Sequence, residues 1–318
     1  MERNLTVSSA DTVKTRCSKI WHVRHWFSTG QAYLYLLPAF IILAIFFYAP
    51  SAFVFYMSLF NWSFLRQGSQ PFIGLANYAY LMKSSTFWQA VRVTVVYVVI
   101  SVPLQLFLAL VLALFLMPGI RGRAFWRLAI FAPFITPLVA TTTIWLWMFD
   151  RYHGFFNGIA HLLHLSAVDW LGDPRWTLFS VILYTTWKYT GFSVVLFMAG
   201  LGNISPSLSE AARVDGAHAG QILCYIIWPL LTPITLVVLL LTTIESFKMF
   251  QPAFLLTNVE GGTGNVVQTL GLYLFSEGFS TNPRDGRGAA ISVLLFLLVF
   301  TISIAQLFLM RQKDYSMD

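Results

Sequence analysis

The sequence predicts an all-α membrane protein with six transmembrane helices, and two observations support that prediction. Of the 318 residues, 57% are apolar and only 10% are charged, whereas a soluble domain carries about 25% charged residues. Six uncharged apolar stretches are each long enough to cross a hydrocarbon core of about 30 Å. The same composition excludes a disordered chain, and the presence of only Cys17 and Cys224 excludes a disulfide scaffold.

The six apolar stretches alternate with polar connections. The first three contain prolines, which spanning helices tolerate when neighbouring groups satisfy the freed carbonyls. The first stretch is too long for the apolar region of a signal peptide and ends without a small-residue cleavage site, so we expect it to remain as a membrane anchor. The predicted spans are 33–60, 93–117, 128–149, 176–202, 225–250 and 288–310.

The distribution of Lys and Arg indicates the orientation, because positive residues are retained on the cytoplasmic side. Alternate connections carry eleven such residues on one side and seven on the other, with the steepest bias before the first span. We therefore expect the tails 1–30 and 312–318 and the connection 203–225 to be cytoplasmic. The net charge of +7 is scattered between apolar runs, so it does not indicate a nucleic-acid partner.

The connection between the fourth and fifth spans begins with helix-start signals. Ser205 suits a helix cap and Pro206 suits the first helical turn. A capping box from Ser207 to Glu210 is an alternative start, two residues later. Either pattern predicts a short helix that begins in this connection.

The same connection continues with a turn signal. Asp215 and Gly216 predict a turn in which the glycine adopts a left-handed conformation, and a second helix then leads from about Ala217 into the fifth span. The product is a bent segment of small residues, 206–217, which we name the knob. A projecting knob of this kind is typical of a docking element for a soluble partner.

These residues give the chain a strong resemblance to one family. It resembles the permease subunits of binding-protein-dependent ABC importers, in the carbohydrate and glycerol-phosphate branch related to the larger permease of maltose importers. Leu223 and Trp228 depart from the usual Phe and Leu of the motif but remain bulky and apolar. The residues that carry the resemblance are Glu-Ala-Ala at 210–212, Asp-Gly-Ala at 215–217, Ile226, Pro229 and Pro233.

Three further landmarks extend the resemblance over most of the chain beyond residue 30, in the same order as in the family. It implies a type I ABC importer transmembrane domain over residues 31–311, in the cytoplasmic (inner) membrane of a bacterium. The landmarks are Phe72-Ile-Gly-Leu-Ala-Asn-Tyr78, then Asn157 with Trp170-Leu171 and Asp173-Pro174, and finally Leu256-Thr-Asn258 with Gly261-Gly262.

The resemblance also implies partners and a division of labour. A second, related permease pairs with the chain, two ATPase subunits bind the knob side, and an extracytoplasmic solute-binding protein delivers the solute. The chain has no Gly-x-x-x-x-Gly-Lys-Ser/Thr phosphate loop, so we expect it not to be an enzyme. ATP and Mg are expected on the ATPase subunits, with no cofactor or metal in this chain and with membrane lipid around it.

In this family the knob transmits ATPase movement to the membrane helices. Gly216 is expected to be its most sensitive residue, because a side chain there would obstruct the turn or its packing. The alternative is that Gly216 only terminates a helix. The coupling residues that the resemblance implies are Glu210, Ala211, Ala212, Asp215, Gly216 and Ala217.

The resemblance places the solute path on the fourth and fifth spans, where aromatic and hydroxyl groups suit a sugar. Ionisable groups inside spans are functional candidates in any case, although Lys188 and Lys248 could instead snorkel from the outer ends of their spans. Glu245 could pair with Lys248, and Trp187 could belong to an interfacial aromatic belt. The candidate path residues are Trp187, Lys188, Tyr189, Thr190, Ser193, Thr242, Glu245, Ser246 and Met249.

The sequence distinguishes three classes of function. The favoured one is an ATP-driven importer of a disaccharide, an oligosaccharide, a polyol or glycerol phosphate. An ion-gradient-driven secondary transporter or channel would show inverted repeats and several intramembrane carboxylates, whereas only Glu245 lies well inside a predicted span. A membrane-embedded enzyme would need clustered His, Asp or Glu residues at a membrane face.

Overall fold

The computed structural model describes residues 29–65, 70–117, 121–257, 261–279 and 283–314. Most of the predicted N-terminal tail, with Cys17, and the landmark residue Asn258 lie outside these described residues. Within them the chain is helical apart from turns and one isolated antiparallel bridge, Phe60 to Phe72. The chain divides into an N-terminal unit, Met1–Val54, and a main unit, Phe55–Asp318.

The first predicted span is one long apolar helical segment. Helix α1 (Thr29–Leu43) continues through a π-helical turn (Ala44–Tyr48) into α2 (Ala49–Ser58). Pro50 lies two residues after the end of the π-helical turn. A proline inside a helix removes one backbone hydrogen bond and crowds the preceding turn, and a π-helical turn accommodates such a local change in winding.

The main unit adds twelve named helices in the described residues. They are α3 (Ala76–Lys83), α4 (Ser85–Phe115), α5 (Arg123–Ile135), α6 (Leu138–Met148), α7 (Phe155–Leu162), α8 (Pro174–Gly202), α9 (Pro206–Val214), α10 (Ala219–Ile222), α11 (Trp228–Phe247), α12 (Gln251–Thr257), α13 (Leu270–Phe279) and α14 (Asp285–Asp314). A π-helical turn, Leu223–Ile227, joins α10 to α11, and a short 3-10 helix, Thr263–Asn265, precedes α13.

Four helical segments in the described part of the chain are long and apolar enough to cross a membrane, or six if each of two bent pairs forms one span. The third predicted span, 128–149, is one of the bent pairs: α5 and α6 meet at an angle of 98°. Thr136, in extended conformation, and Pro137 lie between them. The third predicted span is therefore broken at its second proline, because Pro137 cannot donate the backbone hydrogen bond that would continue α5.

Helix α8 is the centre of the main unit. It packs against α4, α5 and α11, and Tyr184 and Phe197 on it are buried. Hydroxyl groups join α8 to its neighbours: Tyr97 of α4 donates to Thr185 over 3.0 Å, and the Tyr184 hydroxyl lies 2.9 Å from those of both Thr141 and Thr142 of α6. Interhelical polar contacts of this kind supplement van der Waals packing in an apolar bundle.

The start of α8 explains one sequence landmark. Asp173 is its N-cap and accepts the backbone N–H of Arg175 over 2.9 Å, and Pro174 occupies the first turn. A carboxylate cap followed by proline satisfies the first turn of a helix and fixes its backbone. The Asp173-Pro174 pair is therefore a helix-start signal.

A second landmark, Asn157, organises the connection between α6 and α8. Its amide donates to the carbonyls of Val168 (2.8 Å) and Arg151 (3.0 Å). Its oxygen accepts from the Val168 N–H (2.9 Å) and from the Trp170 indole N–H (3.2 Å). One buried amide thus holds two ends of the connection together, which gives a physical reason for an asparagine at this position.

The same connection contains a hydrogen-bonded carboxylate. Asp150 accepts the backbone N–H groups of His153 (2.7 Å) and Tyr152 (3.0 Å), and these bonds lower the pKa of Asp150 below its usual value. Because the lowered pKa reflects preference for the charged form in the folded state, the turn is most stable above the ordinary pKa. It loses this stabilisation as the pH falls through the lowered pKa.

Helices α5 and α8 approach closely where Gly191 faces α5. A Cβ atom on Gly191 would overlap the carbonyl oxygen of Ile130 and lie 3.1 Å from the Cα of Phe131. Both of those neighbours are backbone atoms, which move only if the helix moves. The absence of a side chain at Gly191 therefore sets the distance between α5 and α8.

Replacing Gly191 by Ala is expected to destabilise the folded protein by about 1–3 kcal/mol, the usual cost of overpacking. The measurement is the thermal unfolding midpoint of the purified protein in detergent. Gly202→Ala, on the same helix and with no atom within 4 Å of its Cβ position, is the matched control and should leave the midpoint unchanged or raise it. Equal midpoints for the two variants would contradict the close approach of α5 and α8.

Candidate functional site

The knob begins where the first of the two predicted starts placed it. Helix α9 starts at Pro206, and Ser205 is the extended N-cap residue. The Ser205 hydroxyl lies 2.7 Å from the hydroxyl of Ser207 and makes no side-chain hydrogen bond to the helix backbone. The alternative start, a capping box from Ser207 to Glu210, is wrong because Ser207 already lies inside the helix.

The turn at the end of α9 is a Schellman motif, in which two backbone N–H groups fold back onto the last turn of a helix. The N–H of Ala217 donates to Ala212 over 2.9 Å, and the N–H of Gly216 donates to Arg213 over 3.1 Å. Gly216 has φ = +86°, a conformation that residues with a Cβ rarely adopt. The predicted left-handed turn at Asp215–Gly216 is confirmed.

The knob is anchored at its base by small residues. Ala212 and Ala217 contact a buried cluster formed by Ile222, Ile227 and Leu231. Helix α10 then starts at Ala219, and its N-cap residue His218 donates its backbone N–H to the Gln221 side chain over 3.0 Å. From there the chain winds through the π-helical turn into α11 with no intervening loop.

The remaining predicted coupling residues lie on the exposed side of the knob. Glu210, Ala211, Asp215 and Gly216 are all exposed, and no atom of the described chain lies within 4 Å of a Cβ built on Gly216. Within the described residues, a Cβ atom at Gly216 would therefore meet open space, and the obstruction expected of a side chain there concerns the turn itself. The positive φ of the turn remains as the reason for glycine within the chain.

The exposed side of the knob also carries two apolar residues that are not among the predicted coupling residues. Val214 is 88% exposed and Leu208 is 46% exposed. In the sequence they are indistinguishable from the many lipid-facing apolar residues, and only their position on α9 separates them. They give the knob an apolar surface beside the charged Glu210, Arg213 and Asp215.

The nine candidate solute-path residues form two groups, one at least partly exposed and one buried. Trp187 and Glu245 are exposed and Tyr189 is partly buried. The other six are buried inside the main unit: Lys188, Thr190, Ser193, Thr242, Ser246 and Met249.

Several of the buried candidates already have partners inside the chain. The Gln105 amide donates to the Ser193 hydroxyl over 3.2 Å, and the Thr190 hydroxyl donates to the Thr186 carbonyl over 2.6 Å. The Met249 carbonyl accepts from the Thr269 hydroxyl over 2.9 Å. In this structure Thr190, Ser193 and Met249 are thus buried and hydrogen-bonded within the chain.

Lys188 lies at the midpoint of α8 and is only 3% exposed. Its ammonium donates to the carbonyls of Pro133 (2.7 Å) and Thr136 (2.5 Å), at the junction of α5 and α6. The suggestion that Lys188 snorkels from an outer helix end is therefore wrong. About 21 Å of helix separates it from either end of α8, and its side chain is directed into the protein.

Glu245 and Lys248 form an ion pair with an Oε1 to Nζ distance of 2.8 Å. Their side chains are 74% and 53% exposed, although both lie at the end of the apolar helix α11. Because charged side chains facing lipid are costly and usually face a bundle interior or a water-filled cavity, this face of α11 is unsuited to hydrocarbon. Trp187 and Tyr189 of α8 are the other candidates that are not fully buried, and we name the group of four residues, Trp187, Tyr189, Glu245 and Lys248, the path face.

The family model for "Binding-protein-dependent transport system inner membrane component" matches residues 72–313. The chain belongs to this family. It is therefore an inner membrane permease, and its long apolar helices are consistent with a multi-pass protein.

Named relatives support this identification. The permease is 34% identical over 276 residues to the trehalose/maltose transport system permease protein MalF of Thermococcus litoralis, covering 86% of this chain and 92% of the relative. It is 28% identical over 307 residues to the lactose transport system permease protein LacF of Rhizobium radiobacter, covering 96% and 99%.

A solved structure has the same fold. It is a crystal structure of a bacterial ABC transporter involved in the import of the acidic polysaccharide alginate, with a TM-score of 0.76 and 21% sequence identity. The similarity covers 92% of the permease and 99% of the chain in that structure. At this identity it supports the arrangement of the helices alone.

A thiol-labelling experiment tests whether the path face meets water. In a Cys17→Ser/Cys224→Ser background, Glu245→Cys is expected to react with a charged, membrane-impermeant maleimide in nanodiscs, where both membrane faces are accessible. Phe300→Cys, near the middle of the apolar helix α14 and also exposed, is the matched control and should stay unlabelled. Labelling at 300 but not at 245 would contradict the assignment of this face.

Proposed function

We propose that the chain is the permease subunit of an ATP-driven importer, which moves a sugar across the cytoplasmic membrane by alternating access. The observation that carries the proposal is the knob, an exposed helix and glycine turn joined at both ends to long apolar helices, in a chain of this family. The names of its relatives, with trehalose, maltose and lactose as solutes, support a disaccharide or oligosaccharide. A polyol or glycerol phosphate is the wider class.

The knob is built to transmit movement. The three residues from Asn203 to Ser205 connect it to α8, and the short α10 with its π-helical turn connects it to α11. Its base is fixed to the buried cluster through Ala212 and Ala217. A displacement of its exposed side would therefore shift α8 and α11 rather than dissipate in a loop.

The proposed partners follow from this arrangement. Two separate ATPase subunits bind and hydrolyse ATP with Mg, and one of them receives the exposed side of the knob, including Glu210, Asp215, Leu208 and Val214. A second, related permease pairs with this chain, and an extracytoplasmic binding protein delivers the solute. Both chain termini and the connection 203–225 then lie in the cytoplasm.

We assign the solute path to the path face rather than to the buried candidates. Trp187 packs against Trp145 at a ring distance of 5.2 Å and leaves part of its surface exposed. The Trp187 ring would offer a sugar an apolar surface, and the Tyr189 hydroxyl and the Glu245 carboxylate would offer it hydrogen-bonding groups. The second permease would close the other side of this path.

Substitutions at Gly216 test the coupling role of the knob. Gly216→Val requires a β-branched residue at positive φ and is expected to abolish solute-stimulated ATPase activity and uptake, with the chain still inserted in the membrane. Gly216→Asn tolerates that backbone conformation and should retain more activity if the turn alone matters. The measurement is uptake by the complete importer, with its binding protein, in proteoliposomes.

Gly220→Val is the matched control for the Gly216 variants. Gly220→Val lies in the neighbouring α10, has open space around its Cβ and has no positive φ, so it should leave uptake near that of the unsubstituted chain. Loss of uptake in both Gly216 variants would indicate that an ATPase surface, in addition to the turn, excludes a side chain. Native uptake in both variants, or uptake without any ATPase subunit, would contradict the proposal and favour an ion-gradient-driven transporter.

A further inference from the structure

The break between α5 and α6 frees backbone carbonyls from helical donors, and those of Pro133 and Thr136 are two of them. Pro133 would normally receive the N–H of residue 137, but Pro137 has none. Thr136 lies before the N-cap of α6 in extended conformation, so its carbonyl is outside the hydrogen-bond ladder of that helix. At membrane depth there is no bulk water to satisfy such groups.

One side chain from another helix donates to both of these carbonyls. The Lys188 ammonium lies 2.7 Å from the Pro133 carbonyl and 2.5 Å from the Thr136 carbonyl. Among the described residues no carboxylate forms an ion pair with Lys188. The buried ammonium and the two freed carbonyls therefore satisfy one another, and each would be unpaired if the other moved away.

Lys188 also lies on the helix that leads to the knob. Helix α8 runs without interruption from Lys188 to Gly202, and α9 begins at Pro206. Gly191, one turn from Lys188, is in close contact with the Ile130 backbone of α5. The break is thus held to α8 by polar contacts and by close packing within one helical turn.

We propose that Lys188 is a positioning residue that ties the α5–α6 break to α8, so that the break moves together with the helix that carries the knob. This inference rests on the proposed function for its consequence in transport, and on the hydrogen bonds alone for its structural part. It replaces the predicted role of Lys188 as a solute contact, because both observed contacts of the ammonium are made to the protein.

The test removes the donors while keeping the length of the side chain. In the complete importer in nanodiscs, Lys188→Met is expected to increase hydrogen exchange across residues 131–142 by about tenfold, because the break loses its restraint. Solute-stimulated ATPase activity should fall toward the basal rate in the same sample. Lys188→Arg, which keeps charged donors, should restore part of both properties.

Lys83→Met is the matched control, since Lys83 ends α3 and is exposed. It should change neither exchange across 131–142 nor ATPase stimulation. Unchanged hydrogen exchange across residues 131–142 in Lys188→Met would overturn the proposal, whether transport persisted or was lost. If transport were lost while hydrogen exchange stayed unchanged, Lys188 would again be a candidate for the solute path. If the unsubstituted importer showed no solute-stimulated ATPase, the proposed function would fail while the exchange measurement still decided the role of Lys188.

A second pair of variants keeps the proposal testable if Lys188→Met assembles poorly. Pro137→Ala supplies the missing N–H for the Pro133 carbonyl, so removing Lys188 should lower the thermal midpoint less in this background than in the native one. Such non-additivity is expected of residues that share one hydrogen-bond network. Equal losses in the two backgrounds would show that Lys188 and the break are independent, which would overturn the proposal.

Discussion

The arrangement of the main unit depends on one constraint, the need to pair every polar backbone group in a water-free interior. Two carbonyls at the α5–α6 break and the Lys188 ammonium each violate that constraint alone and satisfy it together. A buried carbonyl without a partner costs about 1–3 kcal/mol, and an unpaired buried ammonium costs more. The 98° bend between α5 and α6 and the position of α8 are therefore linked, because each provides the polar groups that the other needs.

Helix α8 also connects this pair of polar groups to the other helices and to the knob. Helix α8 carries hydroxyl contacts to α4 and α6 and close packing to α5, and it continues almost directly into the knob. The knob is fixed at its base by Ala212 and Ala217 and exposed at Glu210 and Val214. A single helix thus joins the surface proposed for the ATPase to the middle of the bundle, where the proposed solute path begins at Trp187.

Much of this architecture could be predicted from the sequence, because its signals are local. Long apolar stretches predict helices, Asp173-Pro174 marks the start of α8, and Asp215–Gly216 predicts a left-handed turn. The knob was therefore located to within a few residues. The family resemblance rested on these local signals and is confirmed by the family model.

The rest depends on contacts that a sequence does not contain. The sequence contains two positions for a break, Pro133 and Pro137. Only the folded chain shows that the break lies at Pro137 and that Lys188 binds its carbonyls. A spanning helix such as α8 is apolar or weakly polar on every side, so its periodicity does not separate the buried Thr190 and Ser193 from the exposed Trp187. For the same reason the sequence pattern does not identify Val214 as a surface residue. Its exposure follows from its position on the knob.

The most direct measurement is a pair of cryo-electron microscopy structures of the assembled importer, one without nucleotide and one with ATP bound. We expect the Lys188 ammonium to remain within hydrogen-bond distance of the Pro133 and Thr136 carbonyls in both states, while α8, the break and the knob change position together. A state in which the knob and α8 move but Lys188 separates from the break would contradict the central claim.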